Sequence, residues 1–266
     1  MKLTEIIHKE YETIDQTTFQ TNPLYKENVK NIKKLVNLFS NWRKKHIHTE
    51  NNSPIAHNAA YHYAIEMAKE ITYEKEDITR VCFEIDPFKI PKIHNGRFLF
   101  SFFLGAIIQA HYEKVKETIP HKKNEPYHIV TTQFDERIDT FGYKNNGPTI
   151  VVSGDLGDNI GNQMHSGQII VQGNTGDLTG FGMSGGKIIV KKNTGAFAGC
   201  EQHGGFIHIY GDTSKHTGMG MTAGVLKIDG AIEYISDTNH PEEYAHYFTY
   251  DKLKKGMIIH QGKKVF

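Results

Sequence analysis

The fold of this 266-residue chain is decided by residues 149–224, which read TIVVSGDLGDNIGNQMHSG, QIIVQGNTGDLTGFGMSGG, KIIVKKNTGAFAGCEQHGG and FIHIYGDTSKHTGMGMTAG in four successive blocks of 19 residues. A fifth copy opens at Val225 with VLKIDG. The blocks align without an insertion. A fixed period of this kind is the signature of a repeat architecture, so the other motifs have to be interpreted within it.

Each block contains a short apolar strand with alternating side chains, followed by glycines at fixed positions. A block this short has no room for a helix, so each strand is expected to pair with its copy one turn on, as in a parallel β-helix. Glycine is expected at corners where φ is positive or where a Cβ would obstruct the neighbouring coil. The two apolar columns are Ile150, Ile169, Ile188, Ile207 and Leu226, and Val152, Val171, Val190, Ile209 and Ile228.

Between the corners, several columns of small or flexible residues are expected to line a narrow interior. They are Thr175, Thr194 and Thr213; Thr179, Ala198 and Thr217; and Met164, Met183 and Met221, with Gln202 interrupting the last column. A further column reads Asp155, Asn174, Asn193 and Asp212. Asp and Asn favour turns there and can form hydrogen bonds along the stack.

The spacing of Gly154, Gly157 and Gly161, repeated at Gly173, Gly176 and Gly180, resembles the GXGXG β-helix domain. That domain closes the large subunit of glutamate synthase, and it also makes up one of the polypeptides of formylmethanofuran dehydrogenases and related complexes. The resemblance covers residues 148–230 and implies a right-handed parallel β-helix of about four to five coils. It also implies a structural role, with the chemistry carried elsewhere. Lys192 and Ser214 stand where the pattern has glycine.

The remaining sequence predicts a mainly β protein with a helical N-terminal part. We expect a mostly helical domain over residues 1–126, the β-helix over residues 127–236, and a C-terminal cap over residues 237–266 made of a helix and a hairpin. Helices are predicted from Pro23, from Pro54 and over residues 96–119, and alternation at Val81, Phe83 and Ile85 predicts a short strand. Because Gly142 precedes Gly161 by one period, an additional partial coil is possible at the entry. The helices and the tail are expected to cover the open ends of the stack.

Composition narrows the classes of partner and compartment. With 31 basic and 30 acidic residues, the chain has no global charge to attract nucleic acid or an anionic membrane. Two cysteines do not suggest a disulfide framework, and no apolar signal core opens the sequence. We therefore expect a cytoplasmic protein whose partners are protein subunits of a larger complex, or further copies of itself.

Two motifs invite functional readings. Residues 180–185, GFGMSG, fit the dinucleotide-binding pattern of glycines, but a strand is predicted to follow where that motif needs a helix, so no cofactor is expected. Cys200 and His203 are the only candidate catalytic residues. His203 shares a column with His165 two coils away, or about 10 Å, which is too far for the two imidazoles to share a metal. We therefore expect no metal site, and we read Cys200 and His203 as surface residues.

Two functions from different classes follow. The first is a non-catalytic structural or interaction subunit in a larger redox or amidotransferase-type assembly, in which any oxidoreductase activity belongs to the assembly. The alternative is a stand-alone enzyme or small-ligand binder with a site between the N-terminal helices and the flank of the β-helix, where Cys200 and His203 could contribute.

Overall fold

A computed structural model describes residues 23–46, 54–85, 96–134, 136–233 and 256–265. The described chain is a parallel β-solenoid of about five turns, with four helices in its N-terminal part. Its strands are β1 Tyr127–Val130, β2 Asn146–Ser153, β3 Ser166–Val171, β4 Lys187–Val190, β5 His203–Ile209, β6 Ala223–Ile228, β7 Met257–His260 and β8 Lys263–Lys264. The strands are neighbours in chain order, and every pair from β1 to β7 is parallel.

The predicted ladder of isoleucines is confirmed. Ile150 pairs with Ile169, Ile169 with Ile188 and Ile188 with Ile207, each through parallel strands. All four side chains are at most 1% exposed. The threonine and methionine columns are buried as well, and Gln202 takes its place in the methionine column with no exposed surface.

Glycine recurs at one corner because the next layer leaves no space for a side chain. Gly161, Gly180 and Gly199 have φ values of +69°, +76° and +69°. A Cβ at Gly161 would collide with Ile188, and one at Gly180 with Ile207. Positive φ and close approach therefore both favour glycine in this column.

The helices are α1 Pro23–His46, α2 Pro54–Lys69, α3 Lys75–Glu84 and α4 Gly96–Thr118, and both predicted proline starts are confirmed. Their buried residues and those of the solenoid form one hydrophobic cluster. Trp42 is 1% exposed and donates its indole N–H to the carbonyl of Ala60 at 3.0 Å, which ties α1 to α2. In turn α3 packs on β1, and α4 packs on β2.

The strand predicted at Val81, Phe83 and Ile85 is wrong, because this segment belongs to α3. A capping box between Glu74 and Asp77 begins the helix. Ile78, Val81, Cys82 and Ile85 are all buried, while Phe83 is 43% exposed. The spacing of the buried residues follows the helical period, and the alternation at residues 81–85 was coincidental.

The additional coil at the entry is present. Gly161 donates its backbone N–H to Phe141 at 2.9 Å, as Gly180 does to Ile160 at 2.7 Å, so the corner at Gly142 keeps the 19-residue register. The strand of this coil is displaced, because Tyr127 rather than Thr131 pairs with Ile150. The entry coil is thus longer than its copies, with the extra residues between its strand and its first corner.

At the C-terminal end of the stack the predicted hairpin is confirmed, and its first strand also extends the solenoid. Strand β7 pairs with β6 in parallel, with Leu226 opposite Ile258, and so adds another rung to the stack. Ile258 is 2% exposed and packs against Gly218, as Ile207 does against Gly180. Strand β8 then turns back antiparallel. The predicted helix over residues 241–255 lies outside the described residues. Of the strand predicted over residues 231–236, only residues 231–233 are described, and Ile232 forms a parallel bridge with Thr213.

Candidate interaction surface and the predicted site residues

Cys200 is buried, which corrects the prediction that it lies on the surface. It occupies a corner column between Phe181 and Met219 of the neighbouring coils and has no exposed area. Burial, assisted by the charge of Glu201, raises the pKa of the Cys200 thiol to about 12. A nucleophilic cysteine needs an accessible thiolate, and this environment favours neither access nor ionisation.

His203 is exposed as predicted, and its partner is in the next coil. Its Nδ1 lies 2.7 Å from Thr222 Oγ1, and His165 Nδ1 lies 2.9 Å from Ser184 Oγ in the same column. The bond therefore recurs as a feature of the stack. No hydrogen bond joins Cys200 to His203 among the described residues, and the thiol and the imidazole do not form a catalytic pair.

A column of aspartates that was not predicted consists of Asp139, Asp158 and Asp177. Each carboxylate accepts the backbone N–H one coil on, at Asp158 (2.9 Å), Asp177 (2.8 Å) and Ala196 (2.7 Å). The predicted Asx column does the same, and Asp155 accepts from the backbone of Asn174 at 2.7 Å. In the described part of the chain, no group of three acidic, histidine or cysteine side chains is arranged to hold a metal ion.

The glycine motif at residues 180–185 leads into strand β4, as predicted, and not into a helix. Gly180 faces Ile207 of β5, and in the same column Gly161 faces Ile188 and Gly199 faces Leu226. The motif is therefore a product of the repeat and lacks the helix N-terminus that binds a pyrophosphate.

The junction between helix α4 and the entry coil is filled by polar and aromatic contacts. Gln109 forms two bonds with the backbone of Asn146, donating to its carbonyl at 3.1 Å and accepting its N–H at 3.2 Å. Tyr143 stacks on Phe102 with ring centroids 4.7 Å apart and meets Tyr61 edge to face. The side chains that would line a ligand site here are engaged with one another.

His111 of α4 is a buried titratable side chain at this junction. Its Nδ1 lies 2.9 Å from the hydroxyl of Tyr127, and the side chain is 8% exposed. Burial lowers the pKa of His111 to about 4, so that the neutral imidazole is favoured at physiological pH.

The side of the strands facing away from the core forms a different surface. We define the outer sheet face as three successive outward positions on each strand from β2 to β7, the third of which follows the strand directly in β3 to β7. Because side chains alternate along a strand, these positions lie between the buried columns. The members are Thr149, Val151 and Ser153; Gln168, Ile170 and Gln172; Lys187, Ile189 and Lys191; Phe206, His208 and Tyr210; Val225, Lys227 and Asp229; and Met257, Ile259 and Gln261.

Apolar residues form the centre of the outer sheet face. Val151, Ile170 and Ile189 follow one another in a single column, and Ile189 is 9% exposed while the other two are half-buried. On β5, Phe206 is half-buried and Tyr210 is 43% exposed. These apolar and aromatic side chains stand in three adjacent outward columns of the sheet.

Lysines are held over the aromatic rings of this face. The ammonium of Lys191 lies 3.9 Å from the ring centre of Tyr210, and that of Lys187 lies 5.4 Å from the ring centre of Phe206. Both distances are within the range of cation–π attraction. This surface was not predicted, because the inward columns alone define the fold, although the outward columns are visible in the same alignment.

Next to these lysines, the side chains of His208, Lys227 and Asp229 form a compact polar cluster. His208 Nε2 lies 2.7 Å from a carboxylate oxygen of Asp229 and 2.9 Å from the ammonium of Lys227, while Lys227 and Asp229 form an ion pair at 2.9 Å. Bonds from Lys227 and His208 lower the pKa of the Asp229 carboxyl. The carboxylate of Asp229 is thus already bound by Lys227 and by His208 of β5.

Comparison with known proteins leaves the fold and these surfaces as the only guides to function. No protein-family model matches the chain, and no curated protein matches it significantly. None of the described helices is both long and apolar enough to cross a membrane. What the chain does must therefore be argued from the solenoid and from the surface it presents.

Proposed function

We propose that this chain is a non-catalytic interaction subunit of a larger assembly. The observation that carries the proposal is the outer sheet face, where apolar and aromatic side chains of β2, β3, β5, β6 and β7 remain partly exposed around the nearly buried Ile189 of β4. Contiguous apolar surface of this kind is typical of protein interfaces. A rigid stack supports it, because each coil is bonded to the next at strands and corners.

The burial of reactive groups supports the same proposal. Cys200 is enclosed, His203 is bonded to a threonine, and the aspartates hold corner backbones. These side chains serve the solenoid, and chemistry in the assembly would then come from other subunits. The resemblance of the glycine pattern to the GXGXG domain suggests that the assembly is of the redox or amidotransferase type, like glutamate synthase or formylmethanofuran dehydrogenase. That part of the proposal rests on resemblance alone.

The test is to tag the chain at its own locus and to separate a native lysate by size. The proposal predicts elution in a complex well above the 30.2 kDa of the free chain, together with at least one further protein that carries a redox cofactor or a glutaminase site. The double variant Cys200→Ala/His203→Ala should remain in that complex and leave its activity within about twofold of the wild type.

A different result of the same experiment would support the alternative function. If the chain elutes alone, and the purified protein retains a small molecule in native mass spectrometry that the double variant loses, it is a ligand binder or an enzyme in its own right. The site would then involve Cys200 or His203, and the interaction proposal would be wrong.

A further inference from the structure

The outer sheet face has no covering layer among the described elements. An uncovered outer face is common in solenoids, and this one is distinguished by the apolar and aromatic side chains that stand on it. Here the inner face is covered by the solenoid core, whereas the described helices pack on β1 and β2 at the entry end. Helix α4 meets β2 at its first residues, through Gln109 at Asn146 and Tyr112 at Gly147. Among the described elements, no helix packs closely on the later residues of the sheet from β3 to β7.

The dimensions of the face indicate what covers it. Neighbouring strands are about 4.8 Å apart, so the face measures about 24 Å from β2 to β7 along the stack. A helix rises about 1.5 Å per residue, and about 16 residues would cross it. Helices are the usual cover of parallel sheets, and the row of Val151, Ile170 and Ile189 runs in the direction that such a helix would follow.

The charges of the face indicate the composition of that helix. Lys187, Lys191 and Lys227 belong to it, whereas Asp229 is its only acidic member and is already paired with Lys227. No ion pair holds Lys187 or Lys191 among the described residues, and both are fixed over aromatic rings. Their ammonium groups are positioned for carboxylates from outside. Two copies of this face would instead bring lysines together, which disfavours a symmetric dimer through it.

We propose that the outer sheet face binds an amphipathic helix of a partner protein, with apolar residues toward Val151, Ile170 and Ile189 and with aspartates or glutamates along its flanks toward Lys187 and Lys191. The inference rests on the proposed function and specifies the contact surface and the chemistry of the partner. Apolar burial supplies the affinity, and the lysines select acidic partners over basic ones.

Site-specific photo-crosslinking in the native host tests the proposal with the full chain. A benzophenone amino acid replaces Gln172, an exposed member of the outer sheet face, and in a separate strain it replaces Ser184, which is exposed in another column. The expected product from position 172 is a crosslink to another protein. Its crosslinked peptide should have apolar residues at helical spacing and more Asp and Glu than Lys and Arg. Position 184 should give no such product.

Charge reversal provides the second measurement. Lys187→Glu/Lys191→Glu should reduce the yield of this crosslink by about tenfold or more, because both ammonium groups then repel the acidic flanks. Lys192→Glu is the matched control, since it changes charge beside Lys191 but lies in a corner column outside the face, and it should leave the yield within about twofold. Thermal melts of all variants verify that the solenoid is folded.

Every other outcome overturns this inference, and the elution of the chain then shows whether the proposed function fails with it. If the chain elutes in a large complex but crosslinks only from position 184, or if charge reversal has no effect, the partner binds elsewhere and only this inference is wrong. A crosslink from position 172 to nucleic acid, to a basic segment, to a second copy or to another segment of the same chain also excludes an acidic partner helix. If the chain elutes alone and no crosslink forms, both proposals fail.

Discussion

Gly180 lies directly against the side chain of Ile207, an interior residue of strand β5, and its φ of +76° places it in the left-handed region. The contact leaves no room for a Cβ at Gly180, and the positive φ would add strain to any other residue there. Gly199 has a similar φ of +69°, but there the nearest atom to an added Cβ would be Leu226 Cδ2 at 3.0 Å.

Alanine at three glycines should therefore separate strain from collision. Gly262, in the β7–β8 turn, has φ +77° with open space around it, so Gly262→Ala should cost about 1 kcal/mol of unfolding free energy from strain alone. Gly180→Ala adds a collision in the core and should cost about 3 kcal/mol, with Gly199→Ala in between. Denaturant melts measure the order. If added NAD or ATP raised the melting temperature of the wild type but not that of Gly180→Ala, the corner would be a nucleotide-binding loop.

Cys200 should behave as a small core residue. Since burial holds its thiol protonated, iodoacetamide at pH 8 should leave both Cys200 and the equally buried Cys82 unmodified in the folded protein and should label both after denaturation. Cys200→Ala should cost about 1 kcal/mol of stability. Rapid labelling of Cys200 in the folded chain, with Cys82 protected, would contradict its burial.

The aspartate column should act through backbone hydrogen bonds. Asp177→Asn keeps the oxygen that accepts the N–H of Ala196, and it should change stability by less than about 0.5 kcal/mol, whereas Asp177→Ala should cost about 1 kcal/mol. Denaturant melts with and without millimolar calcium compare the two. Stabilisation of the wild type by calcium, abolished equally by Asn and by Ala, would show that the carboxylates bind a cation instead.

His111 should make the protein sensitive to mild acid. Its pKa is about 4 in the folded state and about 6.5 in an unfolded chain, so the unfolded state binds the proton more tightly between these values. The contribution of this group to stability is complete above pH 6.5 and is lost as the pH falls toward 4, by about 2 kcal/mol at pH 5. His111→Phe removes the titration along with the Tyr127 bond. It should be less stable at pH 7 but lose less on going to pH 5; equal losses would rule out this role.

Much of the fold could be predicted because a repeat reports the same constraint several times. Ile150 alone is one apolar residue, but with Ile169, Ile188 and Ile207 it defines an interior column. In the helical part each position occurs once, and Val81 and Ile85 fitted both a strand and a helix; the capping box at Glu74 and Asp77 was the signal that decides between them.

The surroundings of corner residues were harder to predict. The period places Cys200 directly after the corner glycine Gly199 but does not tell that its thiol has no exposed surface. Lys191 and Tyr210 occupy the same column in successive coils, yet their cation–π contact depends on side-chain directions that the period alone does not determine. Composition and repeat length predict the scaffold, while the surface depends on the few residues that differ between copies.

The two ends of the stack determine whether the molecule remains a single particle. A parallel solenoid presents unpaired backbone groups at its first and last strands, and copies of such an object could join end to end into a fibre. Here α3 packs on β1, and β7 is followed by β8, a two-residue antiparallel strand made only of exposed Lys263 and Lys264. A short, charged, reversed strand is a poor template for the first strand of another copy. The hairpin thus stops a growth process that the repeat itself would otherwise permit.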